Sequence, residues 1–352
     1  IFAIQSEIAA AIADALRATL TSGEQQRLAR VPTQNLAALD AYFLGKQLLE
    51  KRTAESLTAA VERFQQVIEF DPEFALAYSR LADAYMILPE YVASLDLDRN
   101  RAMSVAAANR ALALDPELPE VLASMARNRL IHEYDWAEAE VLLRRALEIQ
   151  SNNTNALHWM SHVLSWQGRH AEAIQWAQRA AEVDPLSTLM QMNLSYILMD
   201  SGDFDRAIDI ATSAWNRDST YPELVGNLWL TYLRADRPEE AAEAMRQWAA
   251  NTGRDREATN RVGDLLVRHR RTGEPADLPA DLLERAEFGS EDLAQVYAFA
   301  GDAAHTIEAL ELAVRERSGS RSVLSMKVNP LYDFIRDDSR FVSLLRRVGL
   351  EP

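Results

Sequence analysis

Equivalent residues return along this chain at intervals of about 34 positions, and that period limits the fold more than any other feature. Leu157, Met160, Ser161, Leu164, Gly168, Ala173, Ala177, Ala180 and Pro185 are followed, without a gap, by Gln191, Leu194, Ser195, Leu198, Gly202, Ala207, Ala211, Ala214 and Ser219. The same step then reaches Val225, Leu228, Trp229, Tyr232, Asp236, Ala241, Met245, Trp248 and Gly253. Each unit holds two runs with apolar residues at helical spacing, split by Gly or Asp. It therefore reads as a helical hairpin with one uncovered face, and only stacking on neighbouring hairpins buries that face. Composition agrees: 352 residues, 48% of them hydrophobic and only 12 Gly and 12 Pro, suit long helices rather than strands.

Further units flank these three. Leu44, Gly45, Leu48, Ala60, Phe64 and Pro72 make the first; Tyr78, Leu81, Ala82, Tyr85, Ala111 and Asp115-Pro116 make the next, with an insertion around ILPEYVASLDLDRN that reads as a loop or a lengthened helix. Leu122, Met125, Ala126, Ala139, Leu143 and Ala146 make a third, and a looser unit carries Leu293, Ala294, Tyr297, Gly301, Leu310 and Ala313. Small residues at Gly45, Ala82, Ala126, Ser161 and Ser195 let paired helices approach closely. Trp229 breaks that rule, so its ring is expected to push its helices apart or turn outward. Pro72, Pro116 and Pro185 end second helices, and the Asp before each is expected to cap the helix that follows.

This pattern of large, small and aromatic residues on a first helix and small residues on a second resembles the tetratricopeptide repeat (TPR) family, clearly over about residues 38–255 and more loosely over 288–318. The resemblance implies an all-α, right-handed superhelical solenoid of antiparallel helix pairs, about six or seven hairpins with helical end caps. The expected layout is an amphipathic capping helix at 1–30, the TPR array at 38–255, an irregular helix and loop at 256–290, and a degenerate unit with a capping tail at 291–352. In such an array one face of the first helices lines a concave groove. Here its candidate partner-binding residues are Tyr42, Asp83, Met86, Arg127, His158, His162, Trp166, Met192, Tyr196, Met199, Leu230 and Arg234. Adaptable Met and rigid aromatic side chains suit a protein or peptide segment. The alternative is that these residues cover one another or the chain's own tail. The Lys and Asn positions with which some TPR domains clamp a carboxylate terminus are not matched, since Ser79, Asp83, Ala123 and Arg127 stand there.

A formal net charge of -16 sets a nucleic-acid backbone against repulsion, so direct DNA or RNA binding is not expected. The absence of cysteine excludes disulfides, a thiolate nucleophile and thiolate metal sites. His158 and His162 share a helical face at a spacing that ligates zinc when a third ligand closes the site, and no third ligand is evident. A metal-dependent enzyme is therefore the weakest alternative. No phosphate loop, HExxH or GxSxG pattern occurs, so the chain is expected to be non-catalytic and without cofactors.

The ends carry a second resemblance. Ile1, Phe2, Ala3, Ile4, Gln5, Glu7, Ile8 and Ala9 match a stretch found in bacterial multidomain regulators, in which a class III adenylate/guanylate cyclase or a winged-helix domain precedes a TPR region. Phe2, Ile4, Ile8, Ala11, Ile12 and Leu16 also form one apolar helical face. The closing NPLYDFIRDDSRFVSLLRRVGL is similar to the end of the same proteins and reads as a solenoid stopper. In it Leu331, Phe334, Phe341, Leu344, Leu345 and Val348 seal the last apolar face, and Asp337 or Asp338 caps the final helix. The chain starts at Ile1 inside a helical pattern, which reads as part of a longer protein. The resemblance implies an interaction or sensory module attached to a nucleotide cyclase, or alternatively to a winged-helix regulator. Self-association is a further expectation. No apolar run is long enough to span a membrane; the expected location is cytoplasmic, or periplasmic if a span precedes Ile1.

Overall fold

The structure, a computed structural model, describes Ala11 and residues 33–92, 95–219, 221–316 and 321–351. The capping helix expected over 1–30 lies outside the described residues, Ala11 apart. Among those residues there are helices and no strands. The chain divides into two compact units, residues 1–128 with 145–151 and residues 129–144 with 152–352.

In the first unit, α1 (Leu36–Glu50) pairs with α2 (Ala54–Phe70), and α3 (Ala75–Ile87) with α4 (Leu97–Leu114), before α5 (Pro119–Asn128). Asn35 caps α1 through Ala37 and Ala38, and Thr53 and Ser56 form a capping box on α2. Gly45 shows why a small residue is required: a Cβ there would lie 2.7 Å from the Phe64 ring. In the described part of the insertion after α3, residues 97–100 already belong to α4. A 3-10 turn at Leu88–Glu90 leads into Tyr91, Val92 and Leu95, which pack on Leu57, Ile87 and Leu88.

The second unit opens with a π-helical turn (Arg129–Glu133) and the first part of α6 (Trp136–Ile149), whose residues 145–149 count with the first unit. Three hairpins follow: α7 (Thr154–Trp166) with α8 (His170–Val183), α9 (Thr188–Asp200) with α10 (Phe204–Arg217), and α11 (Glu223–Arg234) with α12 (Pro238–Thr252). The repeated Gly has a backbone cause. Gly168 and Gly202 take φ 88° and 84° where the first helix ends, the left-handed region in which a Cβ is strained. Asp236 occupies the same place in the third hairpin at φ 58°.

Small second-helix residues do what their spacing suggests. Ala173, Ala177, Ala180, Ala207, Ala211 and Ala214 are all buried. Ser161 and Ser195 add hydrogen bonds to their small size. The Asn193 amide donates to Ser161 Oγ at 3.1 Å, and Ser195 Oγ lies 2.7 Å from Asn227 Oδ1, so neighbouring first helices are bridged twice at the same register.

Trp229 departs from expectation. It is 1% exposed, packed against Trp248 and Phe288 with ring centroids 5.9 and 6.3 Å away. The ring turns inward because Trp248 and Phe288 offer it an aromatic surface, Trp248 stacking on Phe288 in turn at 6.1 Å.

The aspartates before proline also act differently. Asp71 and Asp115 accept from the backbone N–H of Glu73 and Glu117, closing tight turns. They stand too far ahead of the next helix to cap it, since α3 starts at Ala75 and α5 at Pro119; after Asp184, likewise, α9 is capped by Ser187. Beyond α12 run α13 (Arg256–Thr272), the short α14 (Ala280–Arg285), α15 (Ser290–Phe299) paired with α16 (Ala303–Glu316), α17 (Arg321–Leu324), a 3-10 segment (Pro330–Ile335) and α18 (Ser339–Arg347). Asp338 caps α18, and Phe341, Leu344, Leu345 and Val348 are buried, while Phe334 is 48% exposed and turns to solvent.

Candidate functional site

First helices α7, α9 and α11 turn one face the same way, because residues four apart recur on a helix surface. That face carries His158, His162 and Trp166, then Met192, Tyr196 and Met199, then Leu230 and Arg234. The structure brings these residues together and places the chain's own C-terminal segment against them. Trp166, Met192, Met199, Leu230, His162 and Arg234 are buried, and His158 and Tyr196 are half-buried.

Arg321, at the start of α17, is the centre of the contact. Its guanidinium carbon lies 3.6 Å from the Tyr196 ring centroid and 5.5 Å from that of Trp166. Its Nη1 is 3.2 Å from Asp200 Oδ2, and the other Asp200 oxygen accepts from Arg234 Nη1 at 2.6 Å. The side chains of Asp200 and Arg234 are wholly buried. A buried carboxylate is costly unless its charge and lone pairs are met, and here two guanidinium groups meet them. Arg234 Nη2 also lies 3.3 Å from Gln295 Oε1 and 3.4 Å from Ser325 Oγ, and Gln295 donates to Ser322 Oγ at 3.1 Å.

Beside this network lies a ring cluster. His162 stacks on Trp166 with centroids 4.7 Å apart and meets His158 edge-on at 4.8 Å. Burial above all, then the charge of Arg321 and the neighbouring His158, hold the His162 pKa well below its usual value, so the ring is neutral at pH 7. Trp136 meets Trp166 edge-on and donates its indole N–H to the Val348 carbonyl at 2.7 Å. Gly349 completes that clamp, since a Cβ there would lie 3.0 Å from the Tyr134 carbonyl. The closing segment is therefore no simple stopper at the end of a stack. It reaches back 212 residues to the start of its own unit.

The four candidates of the first unit form a separate group. Tyr42 is buried between Phe64 and Phe74, and burial raises its pKa. Asp83 accepts from Ser124 Oγ at 3.0 Å and from Arg80 at 3.1 Å; Arg127 lies 3.6 Å from its carboxylate and donates to the Asp83 carbonyl and to Met86 Sδ. Sequence reasoning missed Asp200, Gln295, Arg321 and Ser325. Asp200 was within reach of it, four residues beyond Tyr196 on the same face; the tail residues carry no periodic signal. Among the described residues no three of His, Asp and Glu stand close enough to hold a metal ion, and no helix is long and apolar enough to cross a membrane.

Comparison with known proteins agrees with this fold. Residues 130–193 and 198–260 match the tetratricopeptide repeat family. Among solved structures, a human IFIT1 dimer with PPP-AAAA superposes with a TM-score of 0.52 at 16% identity, covering 96% of this chain and 75% of that one. A tetratricopeptide repeat protein from Parabacteroides merdae aligns over 89% of this chain and 99% of its own at 11% identity and a TM-score of 0.42. The pilus biogenesis factor PilW aligns over 72% and 97% at 15% identity and 0.44. No curated protein matches the sequence. The helical hairpins have the all-α, TPR-like repeat fold, and the family's repeats are matched over 130–193 and 198–260.

Proposed function

We propose that this chain is a non-catalytic, peptide-binding regulatory module and the C-terminal part of a bacterial adenylate cyclase-related signalling protein. One observation carries the binding half: consecutive first helices of the second unit hold a polypeptide segment, with Arg321 seated on Tyr196 and paired with Asp200. The twelve groove candidates named from the sequence are the residues through which a partner is sensed, directly or through the tail packed on them. The effector half rests on the resemblance of Ile1–Ala9 and of the closing segment to cyclase-linked TPR proteins. Partner binding repacks the hairpins against the tail, and that change reaches the effector.

The test uses the full reading frame. A nucleotide cyclase domain upstream of Ile1, with a turnover rate altered by Asp200→Asn, is the expected result. A reading frame without a cyclase domain contradicts the effector half, and a cyclase indifferent to the substitution contradicts the regulatory half.

A further inference from the structure

The Tyr196, Trp166 and Asp200 side chains form a cage whose shape and charge fit one side chain in particular. A guanidinium is flat, stacks on a ring face and pairs with a carboxylate, whereas an ammonium is a strongly hydrated point charge that gains less from a ring at 3.6 Å. Asp200 is prepared for it. Arg234 fixes one of its oxygens from inside the core, which leaves the other oxygen aimed at the cage mouth. Arg321 fills the cage while its side chain stays 16% exposed, so the site opens to solvent. Two buried polar atoms beside it have no hydrogen-bond partner among the described residues, Trp166 Nε1 and His162 Nδ1, on residues only 3% and 4% exposed. An indole N–H can only donate, so it offers itself to a carbonyl, as a peptide backbone presents. The chain's charge of -16 adds long-range attraction for a cationic segment.

We propose that this cage is an arginine-recognition site for a partner peptide and that Arg321 occupies it in cis as an internal competitor. The proposal deepens the peptide-binding reading above and is independent of the cyclase context. A partner segment carrying arginine displaces the Arg321 head group from Tyr196 and Asp200, and the tail residues beyond it loosen from the Gln295 network.

The experiment uses the whole chain with Arg321→Ala, checked for helical content by circular dichroism. The probe is a synthetic peptide of residues 318–326, and a control peptide carries glutamine at the arginine position. Titration followed by calorimetry is expected to show binding of the arginine peptide to the variant, at least about tenfold weaker binding of the glutamine peptide, and at least about tenfold weaker binding of the arginine peptide to the intact chain, where Arg321 competes. Equal binding of the two peptides, binding of the arginine peptide by the intact chain as tight as by the variant, or no binding by a folded variant overturns the proposal. N-acetyl-arginine amide binding as tightly as the peptide assigns the cage to a small molecule and overturns the peptide reading. If Arg321→Ala does not fold, Arg321→Gln takes its place; failure of both to fold makes Arg321 a structural part and also overturns it.

Discussion

Replacing Asp200 with asparagine isolates the electrostatic centre of the second unit. The change keeps the shape and removes one charge, so Arg234, wholly buried and 2.6 Å from the carboxylate, is left as a cation facing a neutral amide. Arg321 loses its partner at 3.2 Å in the same step. Breaking a buried pair by neutralising one member costs about 3–5 kcal/mol, because the remaining charge stays desolvated. For a unit of this size each kcal/mol moves Tm by roughly 2–4 °C, so the variant is expected to melt roughly 6–20 °C below the parent. The control is Asp205→Asn: that carboxylate is 96% exposed and only 4.0 Å from Arg237, and an exposed pair is worth about 0–1 kcal/mol. Differential scanning calorimetry of the three chains measures both effects. A second arm pairs Asp200→Leu with Arg234→Met, which removes both charges and is expected to recover most of the loss. If Asp200→Asn melts within about 2 °C of the parent, the pair is not buried as described and the reasoning fails.

Other outcomes follow from the same geometry. Gly168→Ala and Gly202→Ala each force a Cβ into the left-handed region and are expected to cost about 1 kcal/mol in urea denaturation, whereas Asp236→Gly relieves such strain and is expected to be neutral or slightly stabilising. His162 has a folded pKa below its unfolded value, so the unfolded chain takes up the proton first; stability is full above about pH 6.5 and falls as pH drops below it, by at most about 1.4 kcal/mol per pH unit. His162→Gln should remove that part of the slope in melts recorded from pH 7.5 to 5. Trp136→Phe keeps an aromatic ring but strands the Val348 carbonyl, at a cost of about 1–3 kcal/mol, and hydrogen exchange should quicken at residues 345–350 before it quickens in α9.

What the sequence made legible was local. The period, the close approach at Gly45, the left-handed turn at Gly168 and Gly202 and the Asp338 cap all depend on residues near one another in the chain or one repeat apart, where helical geometry converts spacing into contact. Trp229 turns inward rather than outward because it packs on Trp248 and Phe288, one on the paired helix and one far along the chain. The aspartates before proline were misjudged by a distance of a few residues, which decides between a turn and a cap. The groove face itself was readable, since His162, Trp166, Tyr196 and Arg234 fall on one side of their helices by count. Its occupant was left open between a partner segment and the chain's own tail. The Arg321 contact with Asp200 spans 121 residues, and nothing in the order of residues marks two such distant groups as neighbours. The apolar tail was recognised as something that covers a face, but which face it covers is a tertiary fact.

The tail packs on the first helices of its own unit, with Arg321 against Tyr196 and Asp200, and a photocrosslink tests this most directly. With p-benzoyl-phenylalanine in place of Tyr196, irradiation and peptide mapping by mass spectrometry should yield crosslinks to residues 321–326, within single chains when ordinary and heavy-isotope protein are mixed. Crosslinks that avoid this segment, or that join light and heavy chains, would contradict it.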